Sequence, residues 1–306
     1  MKKIQLGLLD FGQQSGRTSA LRIITDLIDY SVGADQLGYS RIWLAEHYFS
    51  YQRHAWNSPK MLIPIIAGMT ERINVGTAGI LLSIHNPFHT ACDFKLLANL
   101  FPGRIDLGLA NGRPGSRAVE YTIGKIDEDL STIFNRKFKE LIHFLTVDEV
   151  ELMENGIGVV IPPFKGKTPE IWSLSASYES LGRVIDNQTN FCRSIFHMNA
   201  DISPNREKLE AFRENYRNKN GKNPKISMAV SGYCHTNPRK ISKANNLFKN
   251  DFDPKLIGSP NKFHDTISHY SELYGIDEII FMNLAGEVKD RMLSIEKISD
   301  VFGLTA

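Results

Sequence analysis

His47 lies just past the apolar run Ile42–Ala45, with Glu46 between, so an imidazole stands at the end of a segment that reads as a buried strand. An imidazole placed there can take or give a proton near neutral pH, and it can equally be a packed or solvated side chain. Ser175-Ala176-Ser177-Tyr178 lies between another apolar run and a helix beginning near Glu179. Hydroxyls and free backbone N–H groups at a helix start make an anion site, and the same pattern makes a plain N-cap. On the residues alone both readings stay open.

Other spacings carry less. Gly108, Gly112 and Gly115 form a glycine-rich turn without the spacing of a dinucleotide fingerprint. Gly166-Lys167-Thr168 resembles the end of a phosphate-binding loop, but Ile161 stands where the first glycine of such a loop belongs. His85 and His89 are four apart, yet Asn86-Pro87 interrupts any helix between them and no third ligand lies near. No metal site is expected. The stretch from Asn205 to Lys225 holds seven Lys or Arg and three Glu, which reads as the wet face of a helix and its following loop.

The elements that must position these residues belong to a chain of 306 residues with 36 Lys plus Arg against 34 Asp plus Glu. A net charge of +2 is too small to hold nucleic acid without strong clustering. The 42% apolar and 23% charged fractions are those of an ordinary globular protein. No apolar run reaches the roughly 18–20 residues of a membrane span. Gln5, Gly7, Asp10 and Gln13 break up the N-terminal apolar stretch, so no signal peptide is expected. Cys92, Cys192 and Cys234 are widely spaced with no Cys-x-x-Cys, which predicts free thiols and a cytoplasmic location.

Strand-like runs alternate with helical ones along the whole chain. Strands are predicted at 4–9, 41–45, 73–82, 104–110, 171–174, 190–196, 225–233 and 277–282, with amphipathic helices between them. Val150–Ile161, around Asn155-Gly156, reads as a small hairpin excursion between the fourth and fifth strands. Repeated βα units demand a parallel sheet, and eight of them predict a closed (β/α)8 TIM barrel, a single domain over 1–306. A doubly wound open sheet is the rival. In a barrel the chemistry sits at the C-terminal ends of the strands, where His47 and Ser175–Tyr178 fall.

These strand ends, read in order, resemble the luciferase-like monooxygenases, a flavin-dependent family. Leu37-Gly38-Tyr39-Ser40-Arg41-Ile42-Trp43-Leu44-Ala45-Glu46-His47 is similar to the family's second-strand signature. Asn74–Gly79 is similar to its third strand, and His85-Asn86-Pro87 with Pro102–Leu109 to its third helix entry and fourth strand. Ile257–Pro260 and Gly275–Glu278 resemble the closing segment.

The resemblance implies a barrel enzyme, usually dimeric, that uses reduced FMN from a separate flavin reductase, together with dioxygen, to oxidise a small organic or carrier-bound substrate. It gives His47 and its neighbour Tyr48 as catalytic candidates. It places a cis peptide at Ala78–Gly79 under the flavin, and the phosphate near Asn111, Arg113 and the loop Ser175, Ala176, Ser177 and Tyr178. Several positions depart from the family pattern. Tyr48 stands where many members have a second histidine, and Asn111 where many have a phosphate-clamping arginine, which Arg113 or Arg117 could replace. Leu174 and Ala110 replace more reactive or polar residues, and the connection Asn246–Leu256 is too short for the usual lid. Two other activities fit the same resemblance: a deazaflavin-dependent dehydrogenase, and a non-catalytic flavin-binding protein or inactive subunit.

Overall fold

Among the described residues the apolar runs become ten strands, with eleven α-helices between and after them. The computed structural model describes residues 4–13, 18–48, 54–154, 158–196, 205–249, 255–276 and 278–305. In chain order the elements are β1 (Gln5–Asp10), α1 (Ala20–Gln36), β2 (Arg41–Leu44), α2 (Ile63–Met69), β3 (Asn74–Thr77), β4 (Ile80–Leu81), α3 (Pro87–Leu100) and β5 (Ile105–Ala110). After these come α4 (Ser116–Ile123), α5 (Leu130–Thr146), α6 (Glu149–Glu154), β6 (Glu170–Ser175), α7 (Leu181–Asp186), β7 (Asn190–Ser194), α8 (Arg206–Asn220) and β8 (Ile226–Cys234). The chain closes with α9 (Pro238–Leu247), β9 (Lys255–Gly258), α10 (Pro260–Tyr274), β10 (Glu278–Asn283) and α11 (Val288–Phe302). None of the described helices is long and apolar enough to cross a membrane.

All the ladders are parallel. They run β1-β2-β3-β5-β6-β7-β8 and close because β10 pairs with both β8 and β1, aligning Ile279 with Met228 on one side and with Leu6 on the other. Eight strands thus form a closed barrel with helices outside, and the open-sheet alternative is excluded. β9 pairs with Ser231–Cys234, beyond the part of β8 that β7 occupies.

The third predicted strand, 73–82, is split. Gly76 aligns with Asp106 and Ile80 with Leu109, so Thr77, Ala78 and Gly79 stand opposite only Leu107 and Gly108. One extra residue makes a bulge at the barrel rim, and the Ala78–Gly79 peptide within it is cis. The Thr77 hydroxyl spans the break, donating to the Gly108 carbonyl at 3.0 Å and accepting from the Gly108 N–H at 3.2 Å. Residue 108 must be glycine, since a Cβ there would lie 1.9 Å from the Thr77 carbonyl oxygen.

Alternation along each strand divides the core in two. Leu8, Ile42, Leu44 and Leu109 face the helices, whereas Leu9, Trp43, Cys192 and Ile280 face the barrel axis. Below Trp43 the axis is filled by charge. Arg41 bonds Asp106 at 2.6 Å and Glu278 at 2.7 Å, and Trp43 Nε1 donates to Asp106 at 2.8 Å. The Arg41 guanidinium lies 4.7 Å from the Trp172 ring. A Cβ at Gly7 would sit 2.6 Å from Arg41 Cγ, so glycine makes room for this plug. With the lower end filled, a cavity is left at the C-terminal end.

The hairpin expected over 150–161 is corrected. Glu149–Glu154 is helix α6, started by Asp148, whose Oδ1 accepts the N–H groups of Val150 at 2.9 Å and Glu151 at 3.2 Å. Alternating Glu-Val-Glu-Leu-Met-Glu mimics a strand, but a capping aspartate and acids in the first turn favour a helix. The remaining described residues, 158–161, join no ladder, and the turn Asn155-Gly156 lies outside the described residues. Lys95, buried on α3, holds the excursion through Glu149 and the Ile161 carbonyl. Of the short connection Asn246–Leu256, residues 250–254 also lie outside the described residues.

Candidate active site

The C-terminal ends of the strands surround a cavity of about 570 Å³, inside the ~300–1,000 Å³ range of ligand pockets. Trp43 forms its floor, with Leu9, Phe11, Leu174 and Phe196 among its apolar lining. Cys192 also lines it, and burial pushes this thiol up to about 12, so it stays protonated and serves as apolar wall.

His47 lines the cavity where β2 runs out. Its ring stacks on His54, centroids 4.7 Å apart and planes 17° from parallel, and lies 5.0 Å from Phe11. His54 is held in turn by Nδ1, 2.8 Å from the Phe11 carbonyl oxygen. Burial, and then His54, lower the His47 pKa to about 4 against the opposing pull of Glu46. The imidazole is therefore neutral at pH 7. Its Nε2 is buried and has no hydrogen-bond partner among the described residues.

Next to it, Glu46 is fully engaged. Oε1 accepts from the Tyr48 hydroxyl at 2.7 Å and lies 2.6 Å from His85 Nε2, while Oε2 accepts the Leu81 N–H at 2.7 Å. One buried carboxylate thus ties the end of β2 to β4 and to the entry of α3. Tyr48 does not line the cavity. Its hydroxyl is committed to Glu46, and burial plus that carboxylate hold its pKa well above the ordinary phenol value. His85 is likewise taken by Glu46. Among the described residues, no group of three or more His, Cys, Asp or Glu could hold a metal.

Of the other predicted residues, Ala78, Gly79, Asn111, Ser175, Ala176 and Ser177 line the cavity. The Ser175 hydroxyl accepts the Ser177 N–H at 3.2 Å, and the Ser177 hydroxyl the Glu179 N–H at 3.4 Å. Asn111 donates from its carboxamide to Ser131 Oγ at 3.0 Å. Tyr178 is instead a core residue: its ring carries the Arg193 guanidinium at 4.0 Å and faces Phe191. Arg113, on the turn after β5, and Arg117, in the first turn of α4, are exposed and do not line the cavity.

Four lining or supporting residues were not singled out from sequence: Phe11, Glu46, His54 and Arg183. Glu46 had a signal, its place beside His47 at a strand end. Arg183 had none beyond following the Ser175–Ser177 loop. It lines the cavity from α7, with Nη1 donating to Asn135 Oδ1 at 3.0 Å and its guanidinium 5.0 and 5.4 Å from the Phe134 and Phe138 rings. Burial lowers its pKa, and its Nε is buried without a partner among the described residues.

A closed parallel barrel with its cavity at the strand ends, a neutral histidine and a hydroxyl-rich loop has the layout of a barrel enzyme. The luciferase-like monooxygenase family matches residues 4–252, and the chain belongs to that family. It is similar to YceB of Bacillus subtilis (strain 168), 30% identical over 216 residues that make up 70% of this chain and 63% of that one. The chain spans about half to two thirds of the length of the curated relatives it matches. Among solved structures, apo-MsnO8 has a TM-score of 0.86 at 21% identity and 99% coverage of both chains. The oxygenating constituent of 3,6-diketocamphane monooxygenase from Pseudomonas putida, in complex with FMN, has 0.75 at 18% identity, covering 98% of this chain and 97% of that one. These two likenesses concern the fold.

Proposed function

We propose that the protein is a flavin-dependent monooxygenase that binds reduced FMN at the barrel mouth and uses dioxygen to oxidise a small organic or carrier-bound substrate. The observation that carries this reading is the buried, unpartnered Nε2 of a neutral His47 in a largely apolar cavity. Buried polar atoms are normally paired, so an orphan in a cavity wall marks a ligand contact. Family membership and the FMN complex of the diketocamphane enzyme support a flavin as that ligand. The residues fit one: Phe11, Phe196, Leu174 and Trp43 offer apolar walls for a flat ring, and Ser175 and Ser177 offer hydroxyls for a polar tail.

When bound, reduced FMN supplies two electrons to dioxygen, so that one oxygen atom enters the substrate and the other leaves as water. His47 holds or moves a proton at Nε2, and its depressed pKa keeps the ring neutral at pH 7, with one nitrogen protonated and the other an acceptor. Phe11 and Phe196 exclude water from the reacting centre. Glu46 is a positioning residue that fixes the end of β2 and with it the His47 backbone.

A separate flavin reductase supplies the reduced cofactor, and three free cysteines suit a reducing cytoplasm. The unit is a homodimer. Met61, Ile65 and Met69 form an apolar stripe at helical spacing along α2 and the turn before it, and Leu96 and Leu100 form one on α3. All five are at least 45% exposed, and the Lys60–Asp93 ion pair at 2.8 Å links the turn before α2 to α3. Such a face is suited to a second copy of itself.

The test is to titrate the protein with FMN and a deazaflavin, then mix it with photoreduced FMN in air and follow oxygen uptake. FMN binding with oxygen consumption supports the proposal. Preference for the deazaflavin would make the protein a dehydrogenase, and tight FMN binding without any oxygen chemistry would make it a carrier.

A further inference from the structure

A phosphate monoester at neutral pH carries close to two negative charges and binds where cationic N–H donors meet it. Among the described residues lining the cavity, Arg183 is the one cationic side chain. Its surroundings are built to present it. Ser131 and Asn135 stand four apart on α5, on one face. Asn111 bonds Ser131 at 3.0 Å, and Arg183 bonds the exposed Asn135 at 3.0 Å, so α5 ties Arg183 beside the cavity wall that Asn111 and Ser131 line. The Phe134 and Phe138 rings support the guanidinium plane. The Nε–H is buried with no acceptor, and so is the hydroxyl of Ser180, three residues earlier and also lining the cavity. Two unpartnered donors on one wall mark the place of an anionic oxygen. Glu179 lines the same rim but is exposed, where water screens it.

We propose that Arg183 anchors the terminal phosphate of FMN, with Nε–H and the Ser180 hydroxyl donating to its oxygens. This rests on the flavin reading above and adds the source of the charge: it comes from α7, and not from Arg113 on the turn after β5 or Arg117 on α4. The site then selects phosphorylated flavin over riboflavin. Arg193, the nearest alternative in sequence, faces away, since β7 turns Cys192 and Ser194 to the cavity and Arg193 to Tyr178.

The test measures binding of FMN and of riboflavin by flavin fluorescence quenching to the wild type, Arg183→Met, Arg183→Lys and Arg113→Met. Methionine keeps the apolar packing on Phe134 and Phe138 while removing charge and donors. Arg183→Met should weaken FMN about ten- to hundredfold, the worth of a charge-assisted hydrogen bond, with riboflavin unchanged. Arg183→Lys should recover part of the loss, and Arg113→Met should change neither affinity. Equal weakening of both flavins by Arg183→Met would overturn the proposal, as would loss of FMN preference in Arg113→Met alone. Wild-type protein that binds riboflavin and FMN equally well would overturn it while leaving the flavin reading standing. Binding of neither flavin would sink both.

Discussion

The imidazoles of His47 and His54 lie face to face, 4.7 Å between centroids and 17° between planes, at the lip of the barrel cavity. Two stacked imidazoles in a partly buried site resist carrying a charge each. The cost falls on His47, whose pKa drops to about 4, first through burial and then through His54.

That shift makes stability depend on pH in one window. In the unfolded chain His47 titrates near pH 6.5, and in the folded protein near 4. Between these values the unfolded state holds the additional proton, so stability falls as pH drops through the window and is flat in this term above it. Urea midpoints measured from pH 7 to pH 4 should show a steeper acid loss in the wild type than in His47→Gln. Parallel curves would mean that His47 is not depressed.

His47→Ala removes a neutral imidazole whose Nε2 is open at the mouth. With reduced FMN and air, hydrogen peroxide release should accelerate by about 10²-fold, the lower end of acid–base effects. An unchanged release rate would take His47 out of the chemistry.

Tyr48 sits one residue further on, yet its hydroxyl serves Glu46 at 2.7 Å. Tyr48→Phe should cost about 1 kcal/mol of stability, the worth of one hydrogen bond, with peroxide release within about twofold of wild type. Glu46→Gln puts an amide N–H₂ against two donors and should cost more, about 2–3 kcal/mol. A Tyr48→Phe protein behaving like His47→Ala would restore tyrosine to the catalytic group.

Sedimentation velocity tests the paired α2 and α3 stripes. Ile65→Arg with Leu96→Arg places two charges on each copy's apolar face and should convert a dimer to a monomer. A wild type that sediments as a monomer at micromolar concentration would remove the interface.

Arg41→Met strips the cation from the barrel plug and leaves the buried Asp106 and Glu278 without a counter-charge. The expected loss is about 3–5 kcal/mol in urea denaturation. A loss under about 1 kcal/mol would show that the carboxylates protonate or rehydrate without penalty.

Much of the architecture is legible in the sequence. Eight apolar runs separated by amphipathic helices predict a parallel sheet and favour a barrel over an open sheet, and the pairing of β10 with both β1 and β8 decides for the barrel. His47 and Ser175–Ser177 were found at the mouth from their place at strand ends, and Trp43 and Cys192 point to the axis because side chains alternate. The misreadings came where a local pattern serves two structures. Glu-Val-Glu-Leu-Met-Glu alternates like a strand but follows a capping aspartate, and Tyr178 reads as a loop residue but fills a gap under Arg193.

Sequence order alone decided which residues reach the strand ends, since that depends only on strand length and the two-residue repeat. It could not decide which partners meet there. Glu46 finds His85 across 39 positions and Arg183 finds Asn135 across 48, and both pairings exist only once the barrel has closed. Burial then sets the chemistry: the same imidazole that titrates near neutrality in water is held neutral at pH 7 by the walls around it.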